Sequence, residues 1–235
     1  MNAALSATRG LPEMPAGSDT TDMLRGASLA CRFFSRVFHE APGKDVLSAL
    51  REQDLLSSWP LPGESPQARL GLDLLARSLE KETPSLICED FTALFIGPVN
   101  PLRQWESTWT TEERLLFGEP TLAVRECYAR LGMAVSGTVP EDHIALELEF
   151  LGELLQRAAQ ARENGEPAMA AAWMEEAETF FAGHLGRFAG SFLLELGRRA
   201  ATDFYRGAAL LFRATLDTLE TIHPPRPAGQ GPDHG

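Results

Sequence analysis

The chain has 235 residues, of which 33 are acidic and 21 are basic, so its formal net charge is -12 at pH 7. This surplus of carboxylates opposes binding to phosphate backbones, where affinity comes from Lys and Arg, and no nucleic-acid partner is expected. Hydrophobic residues make up 44% of the sequence, which excludes a chain that is disordered throughout. The composition predicts a folded protein that prefers a positively charged partner.

The three cysteines, Cys31, Cys88 and Cys127, lie far apart and form no C-x-x-C pair. A disulfide framework or a zinc knuckle uses closely spaced cysteines, so we expect three reduced, semi-buried thiols, as in a reducing compartment. The N-terminus lacks the apolar run of a secretory signal, and no stretch is long enough to span a bilayer. We therefore expect a cytoplasmic protein without a membrane span.

Both ends of the chain lack hydrophobic periodicity and are rich in proline and small residues. We interpret residues 1–19 and 223–235 as flexible tails and residues 20–222 as one domain. Between the tails, apolar residues recur at intervals of three and four, which predicts amphipathic helices. The first four helices are predicted over 22–38, 44–55, 66–79 and 84–95, with Pro84 in the first turn of the fourth.

The periodicity stops at residues 96–110, IGPVNPLRQWESTWT. This segment contains Pro101, Trp105 and Trp109, and it matches neither a helical nor a strand pattern. Irregular segments of this length are uncommon inside compact domains and are often functional. We predict a long functional loop here.

Helical periodicity resumes after the loop and predicts four more helices, over 120–132, 140–163, 167–199 and 202–220. Apart from short β-branched fragments, no segment alternates with the period of two that a half-buried strand requires. The predicted fold is therefore an all-α, single-domain multi-helix bundle.

The segment 137–155 carries the most informative charge pattern. Thr138 and Glu141 match a capping box, which predicts that a helix begins at Pro140. The helical wheel then separates a core-facing stripe from an opposite polar face. The stripe contains Ile144, Leu148, Leu151 and Leu155, and the polar face contains Asp142, Glu149 and Glu153.

His143 and Glu147 lie one helical turn apart, at the flank of that apolar stripe. One interpretation is a structural ion pair that seals the edge of the core. The other is an acidic, pH-responsive patch at the rim of a groove. The residues alone leave both interpretations open.

Catalytic motifs give little support for an enzyme. The H-x-x-x-E pair lacks the second histidine of a zinc protease, so no metal is predicted. No phosphate-cradling or nucleophile motif occurs, so no cofactor is predicted and the expected class is not an enzyme. The alternative is a helical metal-dependent hydrolase that uses His143, Glu147 and Glu153.

Three blocks follow one another along the chain: EDFTALFIGP at 89–98, which runs into PLRQWES at 101–107, EDHIALELEFLGEL at 141–154, and FFAGHLGRFAGSFLLELGRRAATDFY at 180–205. In this order they resemble the TorD/DmsD/NarJ family of redox-enzyme maturation chaperones. One block alone is weak, but three in sequence order are specific. The resemblance covers about 85–220.

This resemblance implies an all-helical cytosolic chaperone. Such a chaperone binds the apo catalytic subunit of a molybdopterin oxidoreductase, its twin-arginine leader, or both, during cofactor insertion and before export. The resemblance also implies a set of leader- or client-binding residues, namely Asp142, His143, Glu147, Pro101, Trp105, Glu106 and Ser107. Arg103 and Gln104 depart from the family's loop pattern, in which a proline is common. Because nucleotides have been linked to some relatives, a nucleotide-responsive factor is a further alternative.

Trp105 and Trp109 have two interpretations, and both residues belong to the client-binding candidates. They either form an aromatic floor for leader side chains or pin the loop to the bundle. His184 is predicted to pack between helices. For the oligomeric state we expect a monomer or a helix-swapped dimer that hinges over Gly132–Gly137.

Overall fold

The structure is a computed structural model that describes residues 18–52, 55–135 and 139–222. Within these ranges the chain forms ten α-helices, one π-helical segment and no β-strand, which confirms the predicted all-α class. The predicted tails lie outside the described residues, except that Ser18 and Asp19 begin the first helix. Part of the predicted hinge over Gly132–Gly137 also lies outside them.

The helices follow one another along the chain as α1 to α10. Their bounds are Ser18–His39 (α1), Lys44–Glu52 (α2), Pro66–Lys81 (α3), Pro84–Phe91 (α4), Ser107–Thr110 (α5), Glu119–Arg130 (α6), Ile144–Glu163 (α7), Pro167–Gly183 (α8), Leu185–Arg199 (α9) and Asp203–Ile222 (α10). None of these described helices is long and apolar enough to cross a membrane.

A hydroxyl cap starts α4, the last α-helix before the loop. The Thr83 hydroxyl accepts a hydrogen bond from the backbone nitrogen of Leu86 at 3.2 Å, and Pro84 occupies the first turn as predicted. After Phe91 the helix continues as a π-helical segment over Thr92–Ile96, which ends where Gly97 donates to the Thr92 carbonyl at 2.7 Å. The loop follows directly after this π-helical segment.

Aromatic side chains form the centre of the core. The rings of Phe34 and Phe212 stack with centroids 4.7 Å apart, and Phe38 meets Phe192 edge-on at 5.4 Å. All four side chains are fully buried, and each contributes about 2 to 3 kcal/mol relative to an exposed ring. The core therefore lies where α1, α9 and α10 meet.

Two helix pairs flank this core, α1 with α7 and α3 with α10. The second pair approaches closely because Gly71 and Gly207 face each other. A Cβ at Gly71 would lie 2.7 Å from the backbone nitrogen of Leu211 and 3.0 Å from the Gly207 carbonyl oxygen. Only glycine permits this contact between backbones.

Two predicted helices differ from the structure. The helix predicted from Pro140 begins at Ile144, because the preceding residues pair with the loop instead of continuing the helix. Thr138 lies outside the described residues, and the N-cap is His143 rather than a capping box. The single helix predicted over 167–199 is two helices, α8 and α9, which meet at His184 with φ -130° and ψ -93°. Tertiary contacts thus override the periodicity at both points.

Candidate functional site

Two distant segments of the sequence pair through their backbones. Trp105 and His143 form an isolated antiparallel bridge. On either side of it, the Glu106 nitrogen donates to the Asp142 carbonyl at 2.9 Å and the Ile144 nitrogen donates to the Gln104 carbonyl at 2.7 Å. The loop and the start of α7 therefore form one unit, which we call the loop–helix bridge.

Asp142 anchors this bridge through its side chain. One carboxylate oxygen accepts a hydrogen bond from the Ser107 backbone nitrogen and the other accepts one from the Thr121 hydroxyl, both at 2.9 Å. The side chain is fully buried, so its predicted place on a polar face was wrong. The error arose because Asp142 precedes α7, and the helical wheel does not apply to it. Asp142 joins the loop, α6 and α7.

His143 caps α7 instead of forming an ion pair. Its Nδ1 accepts a hydrogen bond from the Ala145 nitrogen at 3.1 Å. The centroid of its ring lies 5.3 Å from the ring centroid of Trp105 and 6.1 Å from that of His39. Burial, followed by the charge of His39, lowers the pKa of His143 to about 4. The ring is thus neutral at neutral pH, and neither the ion pair nor the pH-responsive patch fits it.

Glu147 is buried beneath the bridge without a counter-ion. Its side chain is fully buried, and neither carboxyl oxygen has a hydrogen-bond partner. Burial, followed by the charges of Glu106 and Asp142, raises the pKa of Glu147 well above its usual value. Burial thus favours the neutral, protonated form of this carboxyl group more than in an exposed glutamate.

Glu106 connects the loop to the break between α8 and α9. Its fully buried carboxylate lies 2.9 Å from His184 Nδ1 and 3.3 Å from a guanidinium nitrogen of Arg187. Burial alone would lower the pKa of His184, but its hydrogen bonds to Cys127 and Glu106 and the charge of Glu106 raise it to about 9. His184 packs on Phe180 as expected, yet it also pairs with the loop, a role that the sequence did not indicate.

The two loop tryptophans both contribute to fixing the loop. Trp109 donates from Nε1 to the Arg103 carbonyl at 3.0 Å and meets Phe192 edge-on. Trp105 is partly buried in the bridge, and its Nε1 has no hydrogen-bond partner. The Ser107 hydroxyl is likewise buried and unpaired. Folded proteins rarely leave such groups unpaired, and with Glu147 they lie together at this bridge, which makes it the candidate site.

An open groove of about 430 Å³ lies beside the loop–helix bridge. Apolar residues form most of its wall, whereas His39, Glu149 and Glu153 supply polar groups. The apolar lining consists of Tyr128, Met133, Ala134, Val135, Leu146 and Phe150. We call this cavity the acidic groove.

Arg32 of α1 occupies the acidic rim. Its guanidinium lies 3.2 Å from Glu149 and 2.8 Å from Glu153, whose side chains are 49% and 30% exposed. Because all three side chains are solvent-accessible, these ion pairs are weak and easily exchanged. The second carboxylate oxygen of Glu153 pairs with Arg157 at 2.8 Å. The groove therefore offers an apolar wall next to two carboxylates whose arginine partners are solvent-accessible.

The predicted site residues fall into two groups. The structure brings Trp105, Glu106, Ser107, Asp142 and His143 together in the loop–helix bridge, with Glu147 beneath it. Pro101 and Trp109 instead line a second cavity of about 460 Å³. None of the predicted residues lines the acidic groove itself, although the rings of His39 and His143 are in contact and connect groove and bridge.

The hydrolase alternative gains no support from this arrangement. In the described ranges no three His, Cys, Asp or Glu side chains are placed to hold a metal ion. His143 directs its Nδ1 to a backbone nitrogen, and Glu147 is buried without a partner. Neither side chain is therefore arranged to activate a water molecule.

A family model described as nitrate reductase delta subunit matches residues 62–193. The chain belongs to this family. The matched span contains the loop, the start of α7 and His184, so the whole loop–helix bridge lies within the region that defines the family.

Curated proteins agree with this family assignment. The Tat proofreading chaperone DmsD of Salmonella paratyphi A is 31% identical over 188 residues, which cover 78% of this chain and 81% of that protein. The chaperone protein YcdY of Escherichia coli is 26% identical over 205 residues, covering 82% and 92%. The chaperone protein TorD of Vibrio cholerae is 25% identical over 182 residues, covering 76% and 78%. The predicted relationship to redox-enzyme maturation chaperones is confirmed.

Proposed function

We propose that this member of the nitrate reductase delta subunit family is a system-specific chaperone. It binds the twin-arginine leader of an apo molybdopterin oxidoreductase catalytic subunit in the cytoplasm, during cofactor insertion and before export. The observation that carries this proposal is the acidic groove beside the loop–helix bridge, where an apolar wall meets Glu149 and Glu153. The names of the curated relatives support the same role.

The chemistry of a twin-arginine leader fits the acidic groove. Such a leader combines guanidinium groups with an apolar stretch, and guanidinium groups form strong charge-assisted hydrogen bonds to carboxylates. Apolar leader side chains pack on Phe150 and Leu146 while an arginine binds Glu149 or Glu153. The net charge of -12 attracts the cationic peptide from a distance and speeds its association.

The buried site residues position the groove. Asp142, Glu106, Ser107 and Glu147 have no exposed surface, so a leader cannot touch their side chains while the native packing holds. They fix the loop against α6, α7 and the α8–α9 break, and His143 holds its ring against His39 at the groove. Leader recognition then depends on these residues through the shape of the groove.

Pro101 and Trp109 bind the globular part of the apo-enzyme rather than its leader. They line the second cavity, and large apolar side chains are exposed on the chain segments on either side of it. Contiguous exposed apolar surface is typical of protein-binding regions. The exposed side chains are Ile96, Val99, Leu115, Leu116 and Phe117. We assign this surface to the globular part of the apo-enzyme.

Co-purification tests the proposed function. The full chain carries an affinity tag and is expressed with a molybdopterin oxidoreductase catalytic subunit from the same genome, in a host that cannot make the cofactor. We expect retention of the apo subunit and reduced retention when its twin arginines are changed to lysines, because lysine cannot pair with a carboxylate in a bidentate manner. Failure to retain any encoded molybdopterin oxidoreductase would contradict the proposal.

A further inference from the structure

Cys127 is the first member of a chain of three interacting side chains. Its Sγ lies 3.8 Å from Nε2 of His184, and Nδ1 of the same ring lies 2.9 Å from a carboxylate oxygen of Glu106. A nucleophile, an imidazole and a carboxylate that orients the imidazole are the parts from which activated nucleophiles are built. The proposed chaperone function uses Glu106 and His184 to hold the loop, but it gives the thiol no role.

Positive charge surrounds the Cys127 sulfur on two sides. His184 is cationic at neutral pH, since its pKa is raised to about 9 in spite of its burial. Arg130 places a guanidinium nitrogen 3.7 Å from the sulfur and pairs with Glu176 at 3.3 Å. Imidazolium and guanidinium groups next to a thiol stabilise its thiolate, which is the nucleophilic form. The opposing charges are Glu106, which is paired with His184, and Glu147, whose pKa is raised well above its usual value by burial.

The other two thiols provide internal comparisons. Cys31 is fully buried, and burial followed by the charge of Glu149 raises its pKa to about 12. Cys88 is partly exposed like Cys127, but its thiol donates a hydrogen bond to the Pro42 carbonyl oxygen at 3.6 Å. The three sites thus differ in burial and in the groups that contact the sulfur.

We propose that Cys127 is a thiol–disulfide exchange site for low-molecular-weight disulfides of the glutathione type. The Cys127 thiolate attacks one sulfur of glutathione disulfide and forms a mixed disulfide, while the sulfur–sulfur bond of glutathione disulfide breaks. The second glutathione leaves as a thiolate and takes up a proton from solvent. Cys127 is oxidised to the disulfide level and one glutathione is reduced, so electrons and atoms balance.

The modification acts on the contacts that hold the loop. A mixed disulfide consumes the Cys127 sulfur that contacts His184 and adds bulk next to the ring. His184 in turn pairs with the fully buried Glu106 of the loop–helix bridge. The oxidation state of Cys127 is therefore linked to the position of the loop.

Mass spectrometry of the native full chain tests this proposal without any client. Protein treated with glutathione disulfide is quenched in acid at intervals, and the adduct is counted in the intact protein and located in peptides. We expect one adduct per chain at Cys127, formed about tenfold or more faster than any adduct at Cys88. Cys88→Ala should keep this adduct and Cys127→Ala should lose it. An adduct at Cys88 that forms as fast, or no adduct at Cys127, would overturn the proposal.

Two variants test whether the neighbouring cations cause the reactivity. His184→Gln and Arg130→Gln should each slow the reaction of Cys127 about three- to tenfold, with the rate at Cys88 unchanged. Arg130 is exposed, so its replacement leaves the fold intact even if His184→Gln destabilises the bundle. If Arg130→Gln and a folded His184→Gln react at the wild-type rate, the charges do not activate the thiol and the proposal fails.

Discussion

The Asp142 carboxylate accepts a hydrogen bond at 2.9 Å from the backbone nitrogen of Ser107, thirty-five positions earlier in the chain. The second carboxylate oxygen accepts a hydrogen bond from Thr121, so one fully buried side chain joins three segments. This fully buried polar residue of the site thus acts on the position of the loop. A substitution of Asp142 is therefore expected to change stability as well as peptide binding, and the two quantities have to be measured separately.

Asp142→Ala should lower the free energy of unfolding by about 2 to 4 kcal/mol, because it leaves two buried donors, the Ser107 nitrogen and the Thr121 hydroxyl, without an acceptor. Urea denaturation followed by circular dichroism measures this change. Glu149→Gln, at an exposed position of α7, is the control and should change stability little. A stability equal to wild type for Asp142→Ala would show that the carboxylate does not anchor the loop.

Removing the acidic rim should weaken leader binding while the fold stays intact. The double variant Glu149→Gln, Glu153→Gln should raise the Kd for a twin-arginine peptide about tenfold, since Glu149 is exposed, Glu153 is partly exposed, and both already pair with a guanidinium group. Isothermal titration calorimetry measures the Kd at two salt concentrations. The difference in affinity between wild type and the double variant should be smaller at high salt. Glu220→Gln on α10 removes the same type of charge outside the groove and should bind as wild type. Equal affinities for the double variant and this control would exclude the rim as the arginine site.

Arg32 should compete with the leader for the same carboxylates. Arg32→Ala should therefore tighten peptide binding about two- to fivefold, because the two exposed ion pairs that the leader must exchange are weak. Arg36→Ala is the matched control, since Arg36 lies on the same helix but pairs with Glu40. Unchanged or weaker binding for Arg32→Ala, with Arg36→Ala equal to wild type, would contradict this account of the rim.

The buried Glu147 carboxyl predicts a pH dependence of stability. Its pKa is raised in the folded chain above the value of 4.5 that applies when it is exposed, so the folded state holds the proton over a pH range in which the unfolded state has lost it. Stability is therefore lost as pH rises above about 4.5, by up to about 1.4 kcal/mol per pH unit. Glu147→Gln cannot ionise and should remove this loss.

Urea denaturation of wild type and Glu147→Gln at several pH values tests this prediction. The variant should have about wild-type stability near pH 4.5 and should be the more stable of the two near pH 8. A difference that stays constant across the range would mean that the carboxyl titrates alike in both states. His143 contributes in the opposite direction between about pH 4 and 6.5, because its pKa is lowered from 6.5 to about 4 in the folded chain. Wild type and Glu147→Gln share this contribution, so the difference between them reports Glu147.

Periodicity predicted most helices because one face of each packs on the core. It failed where a long-range contact replaces a local one. His143 belongs to the helix by sequence pattern, but backbone pairing with Trp105 holds it outside α7. His184 likewise interrupts a continuous pattern, and its ring pairs with the buried Glu106. The preceding glycine, which lowers helix propensity, was the only local signal of that break.

The resemblance located the loop–helix bridge, but sequence patterns did not locate the acidic groove. Its walls come from α1, α6, the segment after α6, and α7, so no single stretch of sequence carries its outline. The wheel placed Glu149 and Glu153 on a polar face, yet it gave no reason to connect them with Tyr128 or Met133. It also placed Asp142 beside them, although Asp142 is fully buried. The pattern of charges in the sequence does not distinguish an exposed acidic residue from a buried one that holds the loop in place.

Photo-crosslinking shows whether a twin-arginine leader binds in the acidic groove. A leader peptide with a benzophenone amino acid next to its twin arginines is bound to the full chain, irradiated and mapped by mass spectrometry. We expect saturable binding and crosslinks to the groove wall, within Tyr128–Val135 or Leu146–Glu153, and we expect these crosslinks to decrease in the Glu149→Gln, Glu153→Gln variant. Saturable binding with crosslinks confined to other surfaces, such as α3 or α10, would contradict leader binding in the acidic groove.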